Sequence, residues 1–125
     1  KERCAVIIST SSHNIQLSRE LDEFVSATLR NSLERLADDV VSVDVFLQDL
    51  NGPKGGIDKQ AVIRIHLRGR REVAIETVHE NLSAAVRVGA KRAKRAVRRS
   101  LRKARRIEKF RISRRLASQP SSLNA

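Results

Sequence analysis

A chain of 125 residues has room for one domain with a single hydrophobic core. Apolar residues make up 40% of it, an ordinary globular share, but Phe24, Phe46 and Phe110 are the only aromatics, so the core must be built from Val, Ile, Leu and Ala. Net charge is +12 and sharply localised: residues 1–86 carry eleven basic and thirteen acidic side chains, whereas residues 87–115 carry fifteen basic ones and a single acid, Glu108. A near-neutral body with one cationic segment implies a polyanionic partner, because neutralising phosphates releases their condensed counterions. Cys4 is the only cysteine, which excludes an intrachain disulfide and suits a reducing, cytoplasmic setting. The one early apolar run, Ala5 to Ile8, is too short for a signal peptide, and no stretch reaches the ~20 apolar residues of a membrane span.

In chain order, Cys4, Val6 and Ile8 alternate with Arg3, Ala5 and Ile7 as in a strand, and residues 10–14 read as a polar loop. Ser18 is placed to cap a helix, with Asp22 and Glu23 in its first turn. Leu21, Phe24, Val25, Thr28, Leu29, Ser32, Leu33 and Leu36 then recur at helical spacing. Val41, Val43, Val45 and Leu47 line one face of a second strand. Asn51 to Gly56 reads as a turn region and resembles a phosphate cradle only loosely, having neither of the glycine spacings such loops require.

Ala61, Ile63, Ile65 and Leu67 form a third strand, Gly69-Arg70 a tight turn, and Val73 and Ile75 a fourth strand. Thr77 and Glu80 fit a capping box for a second helix over about residues 78–107, roughly 45 Å long at ~1.5 Å per residue. Its apolar stripe is Leu82, Val86, Gly89, Ala93, Val97, Leu101 and Ala104. Residues 111–125, basic and then Ser-rich, read as a flexible tail after a domain spanning 1–110. The predicted class is α+β in the order β-α-β-β-β-α: a four-stranded sheet with two helices on one face, the second long and basic.

Basic residues point in every direction from the second helix except along its apolar stripe. Like charges three and four residues apart repel by a few tenths of a kcal/mol per pair. A solvated face would mix both signs, and a membrane-surface helix would carry large apolar residues where this one has Ala, Gly and Val. RNA recognised by shape and backbone is the better match, since there is neither a helix-turn-helix or zinc-finger pattern nor a set of aromatic platforms on a sheet for single strands. His13, His66 and His79 lack metal-ligand spacing, Asp38-Asp39 reads as a turn, and no nucleophile-base arrangement is suggested. The sequence therefore reads as a non-enzyme with no cofactor, metal or small-molecule substrate.

Three stretches resemble the ribosome hibernation-promoting factor and ribosome-associated inhibitor A family: residues 12–18 (SHNIQLS), residues 51–59 (NGPKGGIDK), and residues 82–86 (LSAAV) with the basic run that follows. The likeness spans about residues 3–107 and is to the short, stand-alone form; long members add a C-terminal domain that pairs two ribosomes. It implies the same β-α-β-β-β-α fold and a cytoplasmic, ribosome-associated stress factor, monomeric off the ribosome. Such a factor binds rRNA of the small subunit in the channel used by mRNA and tRNA anticodons, and blocks translation. Carried over by position, the basic sites fall on Arg92, Arg95 and Arg99, with Arg87, Lys91, Lys94, Arg98 and Arg102 as neighbours and Lys54 and Lys59 as secondary contacts. The sequence departs from the family in its rich basic extension from Arg102 to Arg115. Two alternatives remain: a double-stranded RNA-binding domain, whose α-β-β-β-α order is close, and a structural ribosomal protein.

Overall fold

A computed structural model describes residues 6–50 and 58–118. The order is β1 (Ile7–His13), α1 (Arg19–Ser32), a 3-10 helix (Glu34–Asp39), β2 (Val40–Asp49), β3 (Lys59–Leu67), β4 (Arg71–His79) and α2 (Leu82–Ser118). This is the α+β arrangement read from the sequence. The strands lie in the order β1-β2-β3-β4. β1 and β2 are parallel, joined by α1 as a crossover, and the other two pairs are antiparallel.

Both helices cover one face of the sheet. Val43, Val45, Leu47, Ala61, Ile63, Ile65 and Leu67 of the sheet pack with Val25, Leu29 and Leu33 of α1 and with Ala85, Val86, Ala90, Ala93 and Val97 of α2 in one core. Leu21, Phe24, Ile75 and Leu82 pack against its margin, half-buried. The other sheet face meets solvent and balances its charges locally. His66 Nε2 lies 3.1 Å from Asp44 Oδ2, Arg64 Nη1 lies 3.4 Å from Glu72 Oε2, and Gln60 donates to Glu76.

Several local boundaries differ from the sequence reading, each for a definable reason. The predicted polar loop at 10–14 is mostly strand: β1 runs to His13, because pairing along β2 satisfies the backbone of a small-hydroxyl run that lacks an apolar alternation. Cys4 lies outside the described residues, as does the turn region 51–56. Asn14, with φ 62°, ends the strand in a left-handed conformation that asparagine tolerates. A register shift between Val40 and Ser42 turns Val40 into the core and leaves Val41 51% exposed, reversing its expected face. The 3₁₀ segment takes up Leu36, which helical spacing had assigned to the first helix.

Thr77 is not a helix cap. It is buried in β4 opposite Ala61, because the β3–β4 ladder continues to His79, and its hydroxyl donates to the Ala85 carbonyl at 2.8 Å. Asn81 caps α2 instead, its Oδ1 accepting from the Ser83 and Ala84 amides at 2.8 and 3.4 Å. At its other end α2 continues to Ser118, past the expected stop near residue 107. No Gly or Pro interrupts it after Gly89.

Two substitutions test this packing by thermal or denaturant unfolding. Val45→Ala opens a cavity among fully buried side chains and should cost about 1–3 kcal/mol. Gly89→Val places a branched side chain where a bare Cβ would already lie 2.9 Å from Ile63 Cδ1. It should overpack the helix-sheet contact and cost about 1–3 kcal/mol or more, despite the better helix propensity of valine.

Candidate nucleic-acid interface

The second helix touches the sheet through small residues. Ala85, Gly89, Ala90 and Ala93 are all buried, and Gly89 lets the helix axis come close to Ile63 and Thr77. A narrow contact stripe leaves most of the circumference to solvent, and the basic residues occupy it. Arg87, Lys91, Lys94 and Arg98, spaced by four, three and four, form one stripe; Arg92, Arg95, Arg99 and Arg102, spaced by three, four and three, form another. At ~100° per residue the two stripes lie roughly 90° apart around the helix.

The first stripe borders α1. Thr28, Asn31 and Ser32 face Arg87, Ala90, Lys91 and Lys94 across a groove of about 390 Å³. The Ser32 hydroxyl donates to the Ala90 carbonyl at 2.9 Å and pins the two helices together at its floor. The Arg87 guanidinium lies 5.5 Å over the Phe24 ring, which orients it along the groove's lip. A smaller depression of about 170 Å³ between Lys91, Lys94, Arg95 and Arg98 continues the groove along α2. Among the described residues, no carboxylate pairs with any basic side chain from Arg87 to Arg106. The groove thus offers the Thr28 hydroxyl and the Asn31 amide beside cations without a carboxylate partner, a combination suited to phosphate oxygens, while the Ser32 hydroxyl is committed to Ala90.

Sequence reasoning found the basic residues but not the α1 side of the groove. Phe24, Thr28 and Ser32 sit at core spacing in the sequence, and Asn31 carries no signal by itself.

Lys59 is placed elsewhere, at the start of β3. Its ammonium lies 3.1 Å from Asp58 Oδ1 and 3.5 Å from Asp49 Oδ2, with 24% of its side chain exposed. The hydrogen bond to Asp58, reinforced by the Asp49 charge, holds its pKa above the ordinary lysine value despite some desolvation. Asp58 is fully buried, and its second oxygen has no partner among the described residues. Together with the bond from the Leu50 amide to the Asp58 carbonyl at 2.8 Å, this cluster ties the end of β2 to the start of β3. Lys54 lies outside the described residues. The structure therefore brings eight of the ten sequence candidates onto one helix and sets Lys59 apart, in an anchoring ion pair.

In the stretch at 12–18, the Ser12 hydroxyl donates to the Ile15 carbonyl at 2.7 Å and Ser18 Oγ accepts from the Leu21 amide at 3.1 Å. Those residues shape the turn into α1. Among the described residues there is no cluster of three or more potential metal ligands, and no helix is long and apolar enough to cross a membrane.

A parallel first strand joined by α1 to an antiparallel hairpin, with a long basic helix across it, defines a small α+β class. It is distinct from the double-stranded RNA-binding domain, which lacks that strand. Residues 8–105 match the model of the Sigma 54 modulation protein / S30EA ribosomal protein family, and the chain belongs to that family, the one that includes the hibernation-promoting factors. The fold is similar to that of the Thermus thermophilus Protein Y N-terminal domain: TM-score 0.63 and 24% identity, over 76% of this chain and 98% of that one. It is also similar to a ribosomal subunit interface protein from Coxiella burnetii: TM-score 0.63 and 10% identity, over 77% of this chain and 99% of that one. No curated protein gives a significant match.

The anchoring role of Lys59 can be tested by unfolding. Lys59→Met should lower the melting temperature by stranding the Asp58 carboxylate, and Lys59→Met with Asp58→Asn should recover much of the loss. Because the Lys59 pKa is raised, its contribution is complete below the ordinary lysine value and fades only as pH rises through the elevated one. The wild-type advantage over Lys59→Met should thus persist at neutral pH and shrink in strongly alkaline solution.

Proposed function

We propose that this protein is a ribosome-binding hibernation factor, and not an enzyme. It binds small-subunit rRNA in the channel that mRNA and tRNA use, and inhibits translation by occupying that space. Membership of the family supports the ribosomal partner. The observation that carries the reading is the double cationic stripe on α2, unbalanced by any carboxylate, beside a groove lined by hydroxyl and amide groups.

In this reading Arg87, Lys91, Lys94 and Arg98 take phosphates along the α1 groove, while Arg92, Arg95, Arg99 and Arg102 take phosphates on an adjoining wall of the channel. Arginine suits this work because its planar fork can hold a phosphate with two bonds. Lys59 contributes indirectly by holding the loop that carries Lys54, and Lys54 itself is a secondary contact. No bond is made or broken: occupancy and charge complementarity are sufficient. The free protein acts as a cytoplasmic monomer.

Arg92→Ala, Arg95→Ala and Arg99→Ala together should leave the fold intact, since all three side chains are exposed and alanine favours helix. Binding to vacant small subunits should weaken by several kcal/mol, at ~1.5–3 per charged hydrogen bond with incomplete additivity, and inhibition of in vitro translation should fall in parallel. With about six to ten phosphates contacted, wild-type affinity should drop roughly 10³–10⁵-fold between 50 and 200 mM salt. Excess mRNA with initiator tRNA should displace the wild-type protein. Full occupancy on subunits already carrying both would put the protein outside the channel and favour a structural ribosomal component.

A further inference from the structure

The family match ends at residue 105, and the two solved neighbours are matched over 98% and 99% of their own chains while leaving about a quarter of this one uncovered. Yet α2 runs on without a break to Ser118. Thirteen residues of helix, about 20 Å at ~1.5 Å per residue, thus project beyond the shared fold. Every side chain from Arg105 to Ala117 is exposed, so this segment does not contribute to the core.

Its composition is that of a binding element. Arg106, Lys109, Arg111, Arg114 and Arg115 face a single acid, Glu108. Their spacing spreads them over about two-thirds of the circumference at ~100° per residue. A planar anionic surface could engage only one side of such a helix, whereas a groove or channel walled by phosphates engages all of them. Ile107 and Phe110 lie on one side and Ile112 and Leu116 on another, so there is no single apolar face to enter a bilayer. Repulsion between like-charged helices opposes pairing with a second copy. Phe110 is 60% exposed, and the Arg114 guanidinium lies over one face of its ring, 5.5 Å from the centre, so that a base stacking here meets the other face or displaces the arginine onto its phosphate. Such a pair can stack on a base and hold its phosphate.

We propose that residues 106–118 form a second RNA-docking arm, which takes phosphates on its basic sides and stacks an unpaired base on Phe110. The arm rests on the ribosome-binding reading above and extends it. α2 is one uninterrupted helix, so once the body is seated the arm is already aimed, and its contacts form at high effective concentration. RNA also offsets the repulsion among charges that the isolated helix must carry.

The test compares three full-length proteins: wild type; Arg106→Gln, Lys109→Gln, Arg111→Gln and Arg114→Gln together; and Phe110→Ala. None of these side chains touches the body, so its melting temperature should not change. On small ribosomal subunits the four-fold variant should bind at least about tenfold more weakly, and its log-log salt slope should be shallower by about three. Phe110→Ala should weaken binding by roughly five- to a hundredfold. Hydroxyl-radical footprints of both should lose one marginal patch of rRNA while keeping the patch protected by the proximal stripes. Lysine at Arg106, Arg111 and Arg114 should restore most of the affinity. An unchanged affinity, slope and footprint in the four-fold variant would overturn the arm. So would a loss confined to intact subunits and absent on protein-free small-subunit RNA, which would reveal an acidic protein partner. A loss seen only on anionic phospholipid vesicles would overturn it too. Failure of the channel reading is separate: it would appear in the wild-type protein as a footprint outside the channel or as binding undisturbed by mRNA and tRNA.

Discussion

The close approach of α2 to the sheet at Gly89 is the contact on which the rest depends. A Cβ at this position would stand 2.9 Å from Ile63 Cδ1 and 3.3 Å from Thr77 Oγ1, so any larger residue must push the end of the Ile63 side chain aside and crowd Thr77. Thr77 completes the contact by donating to the Ala85 carbonyl, which satisfies a polar group that the packing has buried. Alanines on either side continue the seam. Because the anchoring residues are small, they occupy little of the helix circumference. The remainder can carry charge without bringing any cation into the core, where desolvation would be costly.

Charge is handled oppositely on the two faces of the molecule. On the open side of the sheet, Asp44 meets His66, Glu72 meets Arg64 and Glu76 meets Gln60, so these carboxylates each have a polar or oppositely charged neighbour. This is the behaviour of a surface that faces only water and salt. On α2 the basic residues from Arg87 to Arg106 have no such neighbours among the described residues. Self-repulsion of this kind weakens a helix in isolation. It is tolerated here because packing against the sheet holds the proximal turns, and because the sum of unpaired charges gives a steep attraction for a polyanion. The contrast within one small protein is what marks the helix as the candidate interface.

Membership of the S30EA family frames this interface without exhausting it. The groove between α1 and α2 is built by Phe24, Thr28, Asn31 and Ser32 as much as by the cations opposite them. A strand meeting this edge would encounter hydrogen-bonding groups of α1 as well as the charges of α2, so the fold contributes a second wall where composition contributes only attraction. Lys59 illustrates the reverse case: a cation whose charge is committed to Asp49 and Asp58 ties the end of β2 to the start of β3.

Alternation and spacing alone determined the α+β class, the order β-α-β-β-β-α, the Ser18 cap, most of the core and the basic character of α2, because each of these is a local periodicity or a local count. What depended on distant partners was decided only in the folded chain. The strand at 7–13 exists because β2 lies beside it, and the register shift at Val40 exposes Val41 because β3 sets the pairing. Thr77 is a strand residue because a ladder bond to β3 outweighs a helix cap, so Asn81 takes the capping role. The distal half of α2 had no apolar stripe to signal it. The α1 wall of the groove was equally hidden, since Thr28 and Ser32 are spaced like core residues and only the crossing of two helices gives their hydroxyls a common space. Local chemistry is written along the chain, whereas proximity between segments depends on which contacts prevail when the whole chain packs.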